Sequence, residues 1–174
     1  SNTLLEDIFA TSAGELGKLD LSSNTLLKEA RVGTCELREL NIKGCNKLEY
    51  IECGGNRLNE LDLSGNTALR LISFDYNYLT KIDVSQNPNL VQIGGTNNRL
   101  TEIDLSFCSG MDQINLDGNA LHKLVMPTSQ KLHTLTLRDN KLSSIDLSNK
   151  PNLAVLYLDN NNFSELDIAN NKRL

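Results

Sequence analysis

Positive charge and long apolar runs are both scarce in this sequence. It contains 17 lysines and arginines against 22 aspartates and glutamates, which gives a formal net charge of -5. Nucleic-acid binding depends on a basic surface, so this balance argues against a nucleic-acid partner. No apolar run approaches the ~20 residues of a transmembrane helix, and we therefore predict no membrane-spanning segment.

The residue types that build most catalytic and metal sites are also few. His122 and His133 are the two histidines, and no serine, cysteine or carboxylate is obviously placed to form a triad with either. The cysteine spacings match no zinc motif. The four cysteines are Cys35, Cys45, Cys53 and Cys108. We predict that the chain is not an enzyme and that it holds no cofactor, no metal and no disulfide.

A 21-residue repeat accounts for almost the whole chain. Residues 69–89 are one copy, LRLISFDYNYLTKIDVSQNPN. The first half-unit reads L-x-x-I-x-F-x-x-N-x-L and the second reads L-x-x-I-D-V-S-x-N. First half-units begin at Leu27, Leu48, Leu69, Leu90, Met111, Leu132 and Leu153, and second half-units at Leu16, Leu37, Leu58, Leu79, Leu100, Leu121, Leu142 and Phe163. A fixed period in this range indicates a solenoid.

Apolar residues alternate at positions four and six of each half-unit, which predicts a short strand in each half. In the first half-units, position four holds Ala30, Ile51, Ile72, Ile93, Ile114, Leu135 and Leu156. Position six holds Val32, Cys53, Phe74, Gly95, Leu116, Leu137 and Leu158. Coils stacked at about 4.8 Å would pair these strands into a parallel sheet over a continuous core. Within the second column, we predict that Gly95 makes room for the ring of Phe74.

Position nine is polar but is also predicted to point inward. In the first half-units it holds Cys35, Asn56, Asn77, Asn98, Asn119, Asn140 and Asn161, and in the second half-units it holds Asn24, Asn66, Asn87 and Asn171, with Cys45, Cys108, Ser129 and Lys150 as departures. A buried amide is costly unless it is hydrogen-bonded. We therefore predict two asparagine ladders that bond to the turning backbone of their own and adjacent coils.

The two ends of the chain fall outside this pattern. Residues 1–15 begin with Thr3 and Glu6 at capping-box spacing, followed by Leu4, Leu5, Ile8 and Phe9 at helical spacing. We predict a short helix over residues 4–12 that caps the repeat domain of residues 16–174, with a disordered tail as the alternative. Leu174 lies where the next half-unit would begin, so we expect either further chain or end-to-end self-association of copies.

The first half-unit resembles the conserved segment of leucine-rich repeats, and its seven copies start between residues 27 and 153. A second half-unit of the form L-x-x-L-D-L-S-x-N resembles a bacterial subclass common in secreted and surface-anchored proteins. It is similar to the internalins, some of which place cysteine at the asparagine position, as Cys35, Cys45 and Cys108 do here. The resemblance implies a right-handed superhelix of α/β type, mostly parallel β, and a binding or adhesion scaffold without catalysis.

The two half-units differ by one residue and both are predicted strands, so we expect weak superhelical curvature. Position five of the second half-units points outward and carries Asp20, Asp62, Asp83, Asp104, Asp146 and Asp167. This row is either a calcium-collecting stripe or a solvated acidic face hydrogen-bonded to nearby serines. Calcium needs several oxygens that converge on one point, and a straight row does not supply them.

Positions three, five, seven and eight of the first half-units point outward from the other sheet and provide the candidate ligand-binding residues. These are Tyr50, Leu71, Ser73, Asp75, Tyr76, Gln92, Thr96, Gln113, Asn115 and Tyr157, with Asp117, Thr134, Thr136, Arg138, Val155 and Asp159 on the same face. Tyr50 and Leu71 form a predicted anchor pair with an acidic rim, which suits a protein partner carrying lysine or arginine. Ordinary surface exposure is the alternative.

We expect a protein-binding or adhesion module of a bacterial protein that is secreted or lies at the cell surface. A glycan-binding module is one alternative. Another is a structural spacer that holds a second domain away from the cell. An aromatic patch on one sheet face favours recognition, whereas a uniformly polar surface favours the spacer.

Overall fold

Each coil of the chain contributes one or two three-residue strands to a parallel-β solenoid. The structure, a computed structural model, describes residues 2–174. Its strands are β1 (Asp7–Phe9), β2 (Lys18–Asp20), β3 (Glu29–Arg31), β4 (Glu39–Asn41), β5 (Tyr50–Glu52), β6 (Leu71–Ser73), β7 (Gln92–Gly94), β8 (Glu102–Asp104), β9 (Gln113–Asn115), β10 (Lys123–Val125), β11 (Thr134–Thr136) and β12 (Val155–Tyr157). The parallel repeat solenoid predicted from the 21-residue period is confirmed.

The first half-units form one sheet of eight parallel strands in the order β1-β3-β5-β6-β7-β9-β11-β12. From β3 onward each strand pairs in register with residues 21 positions further along the chain. Ile51, Ile72, Ile93 and Ile114 therefore stack as direct neighbours. The position-four and position-six columns are buried as predicted, except that Leu156 and Leu158 are only partly buried.

The second half-units form strands at four places only, so the prediction of a strand in every half-unit is wrong. β2 pairs with β4 and β8 pairs with β10, each as a two-stranded sheet. Within residues 2–174, the backbone groups of residues 60–62 and 81–83 make no hydrogen bonds to other backbone groups. Neighbouring coils stay joined at the preceding corner, where Tyr78 N donates to Leu58 O at 2.9 Å. The weak superhelical curvature expected from the two half-units stays a prediction.

The predicted N-terminal helix is wrong, and residues 2–174 contain no helix of any kind. Residues 7–9 instead form β1, which pairs with β3 so that Ile8 lies opposite Ala30. Leu5, Ile8 and Ala10 pack against the core at the spacing of a first half-unit. A strand here continues the parallel sheet and satisfies the backbone of β3, which a helix would leave unpaired. The fold is therefore parallel β rather than α/β.

The asparagine ladders bond to the backbone as predicted, but the two ladders differ. Asn56 Nδ2 donates to Val32 O in the preceding coil and to Cys53 O in its own, both at 2.9 Å. Its Oδ1 accepts from the N–H of Leu37 at 3.0 Å. In the second ladder Nδ2 is bonded likewise. The buried Oδ1 atoms there have no hydrogen-bond partner within residues 2–174 at Asn66, Asn87 and Asn171.

The cysteines at the asparagine positions act as donors to the same backbone. The Cys35 thiol donates to Ala10 O at 2.8 Å, and the Cys45 thiol donates to Leu21 O at 3.2 Å. All four cysteines are buried and free. Burial raises the pKa of Cys53 to about 12 and that of Cys108 to about 11. The Cys53 and Cys108 thiols therefore stay protonated inside the fold.

Candidate protein-binding face

The outward side chains of the eight-stranded sheet form a continuous surface, which we call the strand face. Successive side chains of a strand point to opposite sides, so the residues that flank each buried strand centre lie on the outer side of the sheet. Tyr50, Leu71, Gln92 and Gln113 are register neighbours in one column. Ser73, Asn115 and Tyr157 belong to the second column, with Gly94 and Thr136 between them. The structure therefore brings most predicted site residues together.

Asp75 is held across two coils by hydrogen bonds. Its Oδ2 accepts from Ser73 Oγ at 2.6 Å, and its Oδ1 accepts from Thr96 N at 2.6 Å. Gly94 lies beside this carboxylate, and a Cβ atom there would come within 3.2 Å of Asp75 Oδ2. The glycine thus leaves space for the carboxylate, and three predicted site residues are fixed in place.

Asn115 extends the polar network toward the C-terminus. Its Oδ1 accepts from Thr96 Oγ1 at 2.9 Å and from Thr136 Oγ1 at 2.7 Å. Together with the bonds of Ser73 and Asp75, these hydrogen bonds link four successive coils. The polar part of the strand face is therefore ordered before any ligand binds.

Arg138 is fixed between an acid and an aromatic ring. Asp117 accepts from Arg138 N at 2.8 Å and from its Nε and Nη2 at 2.9 Å each. The guanidinium carbon lies 4.7 Å from the ring centroid of Tyr157, within range of a cation–π interaction. The hydrogen bond to Asp117 raises the pKa of Arg138. This end of the face presents a rigid, permanently charged arginine beside an exposed tyrosine.

An aromatic stack at the other end of the strand face was not predicted. The Arg31 guanidinium lies 5.5 Å from the ring centroid of Phe9 and 5.0 Å from that of Tyr50, and its Nε donates to Glu29 Oε1 at 2.6 Å. Phe9 is 64% exposed. Sequence reasoning missed it because residues 4–12 were predicted as a helix. The signal was present in the spacing of Leu5, Ile8 and Ala10.

Tyr76 lies apart from the strand face, at the turn after β6. Its backbone has a φ of 54°, and the ring is 62% exposed. Position eight of every coil has positive φ, which is uncommon for a bulky residue. These residues are Ser12, Thr34, Gly55, Tyr76, Asn97, Gly118, Asp139 and Asn160. Tyr76 therefore joins Tyr78 at the corner of the coil, where Arg99 lies 4.7 Å above the Tyr78 ring.

The acidic row of the opposite face bonds to its own turns. The Oδ1 of Asp62 accepts from Ser64 N at 3.0 Å, and the same bond recurs at Asp20, Asp83, Asp104, Asp146 and Asp167. Hydrogen bonds from Ser64 lower the pKa of Asp62 to about 2. Among residues 2–174, no group of three or more histidine, cysteine or acidic side chains could hold a metal ion.

His122 and His133 are exposed. His133 contacts its neighbour Thr134 through Nδ1 at 3.1 Å. None of the described residues belongs to a helix that is long and apolar enough to cross a membrane.

Solved structures share this architecture, although no protein-family model and no curated protein matches the sequence. The functional domain of InlJ from Listeria monocytogenes, which includes a cysteine ladder, superposes with a TM-score of 0.79 at 25% identity. That match covers 99% of this chain and 43% of InlJ. YopM, a leucine-rich effector protein from Yersinia pestis, gives a TM-score of 0.72 at 31% identity over 79% of this chain and 39% of its own.

A leucine-rich-repeat protein from Leptospira interrogans gives a TM-score of 0.83 at 23% identity, covering 92% of this chain and 44% of that one. This chain therefore spans less than half the length of each of these three structures. The InlJ domain includes a cysteine ladder, whereas no two of Cys35, Cys45 and Cys108 are neighbours in a column here.

Proposed function

From its place among the bacterial leucine-rich-repeat proteins with coils of about 21 residues, where it is internalin-like, we propose that this chain is a protein-binding or adhesion module. We further propose that it serves a secreted or surface-exposed bacterial protein and binds its partner through the strand face. A non-enzymatic role is part of this proposal.

The proposal rests on apolar anchors that adjoin fixed polar groups on one sheet surface. Tyr50 and Leu71 are half-buried neighbours, and Arg31 links Tyr50 to the exposed ring of Phe9. Aromatic and arginine side chains dominate the binding energy of protein interfaces. Because these groups are already held in place, little side-chain entropy is lost when a partner binds.

The charge around the anchors favours a basic partner. Glu52 lies in register between Arg31 and Ser73, and the carboxylate of Asp75 follows on the next coil. Glu29 neutralises Arg31, so acidic groups predominate here. A protein segment with lysine or arginine beside an apolar residue complements this surface.

Two alternatives are distinguished by the same surface. A spacer needs only polar residues, and the exposed rings of Phe9 and Tyr157 favour recognition instead. A glycan ligand remains a candidate because sugars also pack on exposed aromatic rings. Digestion of the partner with protease or with glycosidase, followed by renewed binding, separates the two.

The test is a double substitution of the anchors. Tyr50→Ala with Leu71→Ala should weaken partner binding by about 2 kcal/mol or more, measured by biolayer interferometry, and leave the melting temperature nearly unchanged. The partner is captured from a protein extract on immobilised wild-type protein.

The matched control is Thr134→Ala with Val155→Ala, two register neighbours in the same column of the sheet. A partner that binds the wild type and the control but not the anchor variant supports the proposal. Equal binding to all three removes the anchors from the site. Absence of specific capture by any of them favours the spacer.

A further inference from the structure

The face opposite the eight-stranded sheet contains two adjoining cavities. The larger has a volume of about 1000 Å³ and is lined by second half-units from Lys18 to Gln86. The smaller has a volume of about 300 Å³ and extends from Lys81 to Val125. Both are lined by Lys81, Ile82 and Asp83, so they form one depression across successive coils, which we call the groove.

The floor of the groove is apolar. It consists of the position-four residues of five successive second half-units, Leu19, Leu40, Leu61, Ile82 and Ile103. Leu40, Leu61 and Ile82 are 9%, 7% and 8% exposed, whereas their counterparts Ile51 and Ile93 on the other sheet are 0% exposed. The edges of these side chains are therefore available to a ligand that enters the groove.

The walls are acidic. Seven carboxylates and four lysines line the groove, which gives it a formal charge of -3. Three lysines are already paired: Lys18 with Glu39 at 2.7 Å, Lys43 with Asp62 at 3.1 Å, and Lys123 with Glu102 at 3.9 Å. Within residues 2–174, the remaining carboxylates have no salt bridge, and they belong to Asp20, Glu60, Asp83 and Asp104.

The strand pairing is interrupted at the centre of the groove, at residues 60–62 and 81–83. The depression crosses successive coils and combines an apolar floor with acidic walls, so its length and charge suit an extended polypeptide. Phe107 is the groove's one aromatic residue, which disfavours a neutral glycan.

We propose that the groove is a second binding site, distinct from the strand face, for an extended polypeptide segment in which lysine or arginine alternates with apolar residues. The apolar side chains lie on Leu40, Leu61 and Ile82, and the basic side chains pair with the unpartnered carboxylates of the walls. Because Asp20, Asp83 and Asp104 are held by their own turns, they keep their positions whether or not the groove is occupied.

One position of the aspartate row shows that the charge can be removed without loss of the turn. Asn41 occupies the same repeat position as Asp62, and its Oδ1 accepts the equivalent backbone hydrogen bond from Lys43 N at 3.3 Å. Asp83 and Asp104 share this repeat position, so Asp83→Asn with Asp104→Asn keeps the turns and removes two of the unpartnered charges from the groove. Asp146→Asn with Asp167→Asn removes two charges from the same row outside the groove and is the matched control.

The probe is a fluorescein-labelled peptide of seven residues, Lys-Val-Lys-Val-Lys-Val-Lys, and its counterpart with glutamate in place of lysine. Fluorescence anisotropy at low salt should show binding of the lysine peptide alone. The groove variant should bind it at least tenfold more weakly, and the control variant within twofold of the wild type. Equal losses in both variants would reduce the effect to net charge and overturn the proposal, as would absence of binding or preference for the glutamate peptide.

Methyl NMR of the wild type locates the peptide independently. Addition of the lysine peptide should shift the methyl resonances of Leu61 and Ile82 and leave those of Ile51 and Ile114, beneath the strand face, unchanged. Tyr50→Ala with Leu71→Ala should bind the peptide as the wild type does, so failure of this site and failure of the strand face are distinguished. Shifts confined to the strand face would refute the groove site.

Discussion

The ring of Phe74 occupies the space that a side chain at Gly95 would need. A Cβ atom on Gly95 would lie 2.4 Å from both Cε2 and Cζ of Phe74, and 3.0 Å from Cδ2 of Leu116. Phe74 is fully buried in the same column. The predicted compensation between the two residues is therefore confirmed.

Substitution of Gly95 should destabilise the fold through this contact. Gly95→Leu overpacks the column and should lower the free energy of unfolding by about 1–3 kcal/mol, measured by urea denaturation. Phe74→Leu should recover much of that loss in a double-mutant cycle. Gly110→Ala is the control, because its Cβ would meet no atom closer than 3.7 Å. Additive effects of the Gly95 and Phe74 substitutions would contradict the coupling.

Lys150→Asn should stabilise the protein. Lys150 occupies an asparagine position, is 4% exposed, and donates from Nζ to Asn149 O at 3.2 Å. Burial lowers the pKa of its ammonium group. An asparagine would instead donate to the carbonyls of Met126 and Ser129 by the pattern of Asn66, and should add about 1 kcal/mol or more to the free energy of unfolding.

The pH dependence of that gain provides a second check. Because the folded pKa of Lys150 is depressed, the unfolded chain binds more protons, and wild-type stability rises as the pH approaches the ordinary lysine value of 10.5. The advantage of Lys150→Asn should therefore shrink between neutral pH and that value. Lys131→Asn, at an exposed lysine of the preceding coil, is the control. A constant difference would argue that Lys150 reaches solvent.

Acid should destabilise the fold through the aspartate row. Hydrogen bonds from the serine two residues later lower the pKa values of Asp20, Asp83 and Asp104, and bring that of Asp62 to about 2. Because the folded pKa is depressed, the ionised carboxylate stabilises the fold above the unfolded pKa of 3.8. This contribution to stability is lost as the pH falls toward 2. Urea midpoints should drop across this window. Asp62→Asn should flatten the drop, and an identical curve would count against the mechanism.

Alkali should also destabilise the fold, through the buried thiol of Cys53. The folded pKa of Cys53 is raised to about 12, so the thiol stays neutral while the unfolded chain ionises near 9. Stability from this group is complete below pH 9 and is lost as the pH rises above it. Cys53→Val should reduce that loss, since Val32 fills the preceding place in the column.

A thiol reagent should count four groups in non-reducing denaturant and none in the native state.

The inward columns can be predicted from the sequence because the same kind of residue recurs at a fixed spacing of 21 residues, seven or eight times in each column. Burial of Ile51, Ile72 and Ile93 follows from alternation alone. β1 escaped prediction because Ile8 precedes its partner Ala30 by 22 residues, one more than the period. A single inserted residue removed it from the register, and the capping-box spacing then favoured a helix.

The strand pairing of the second half-units could not be predicted from the motif. Residues 61–64 read LDLS and residues 103–106 read IDLS, yet β8 includes Ile103 whereas Leu61 lies in no strand. Pairing depends on how far apart neighbouring coils lie, which is set by the whole stack rather than by four residues. The groove arises in this interrupted stretch and was missed for the same reason. The Phe9–Arg31–Tyr50 stack was missed because it required β1.

In-register pairing makes the alignment of the columns independent of the number of coils. Since Tyr50, Leu71 and Gln92 meet directly at a constant offset, removal of any 21 consecutive residues from the middle would rejoin the columns without a shift. Gene duplication or loss of one coil thus alters length in steps of about 4.8 Å while both faces keep their orientation. The number of coils therefore sets the distance between the Phe9 and Tyr157 ends of the strand face, and evolution can change that distance one coil at a time.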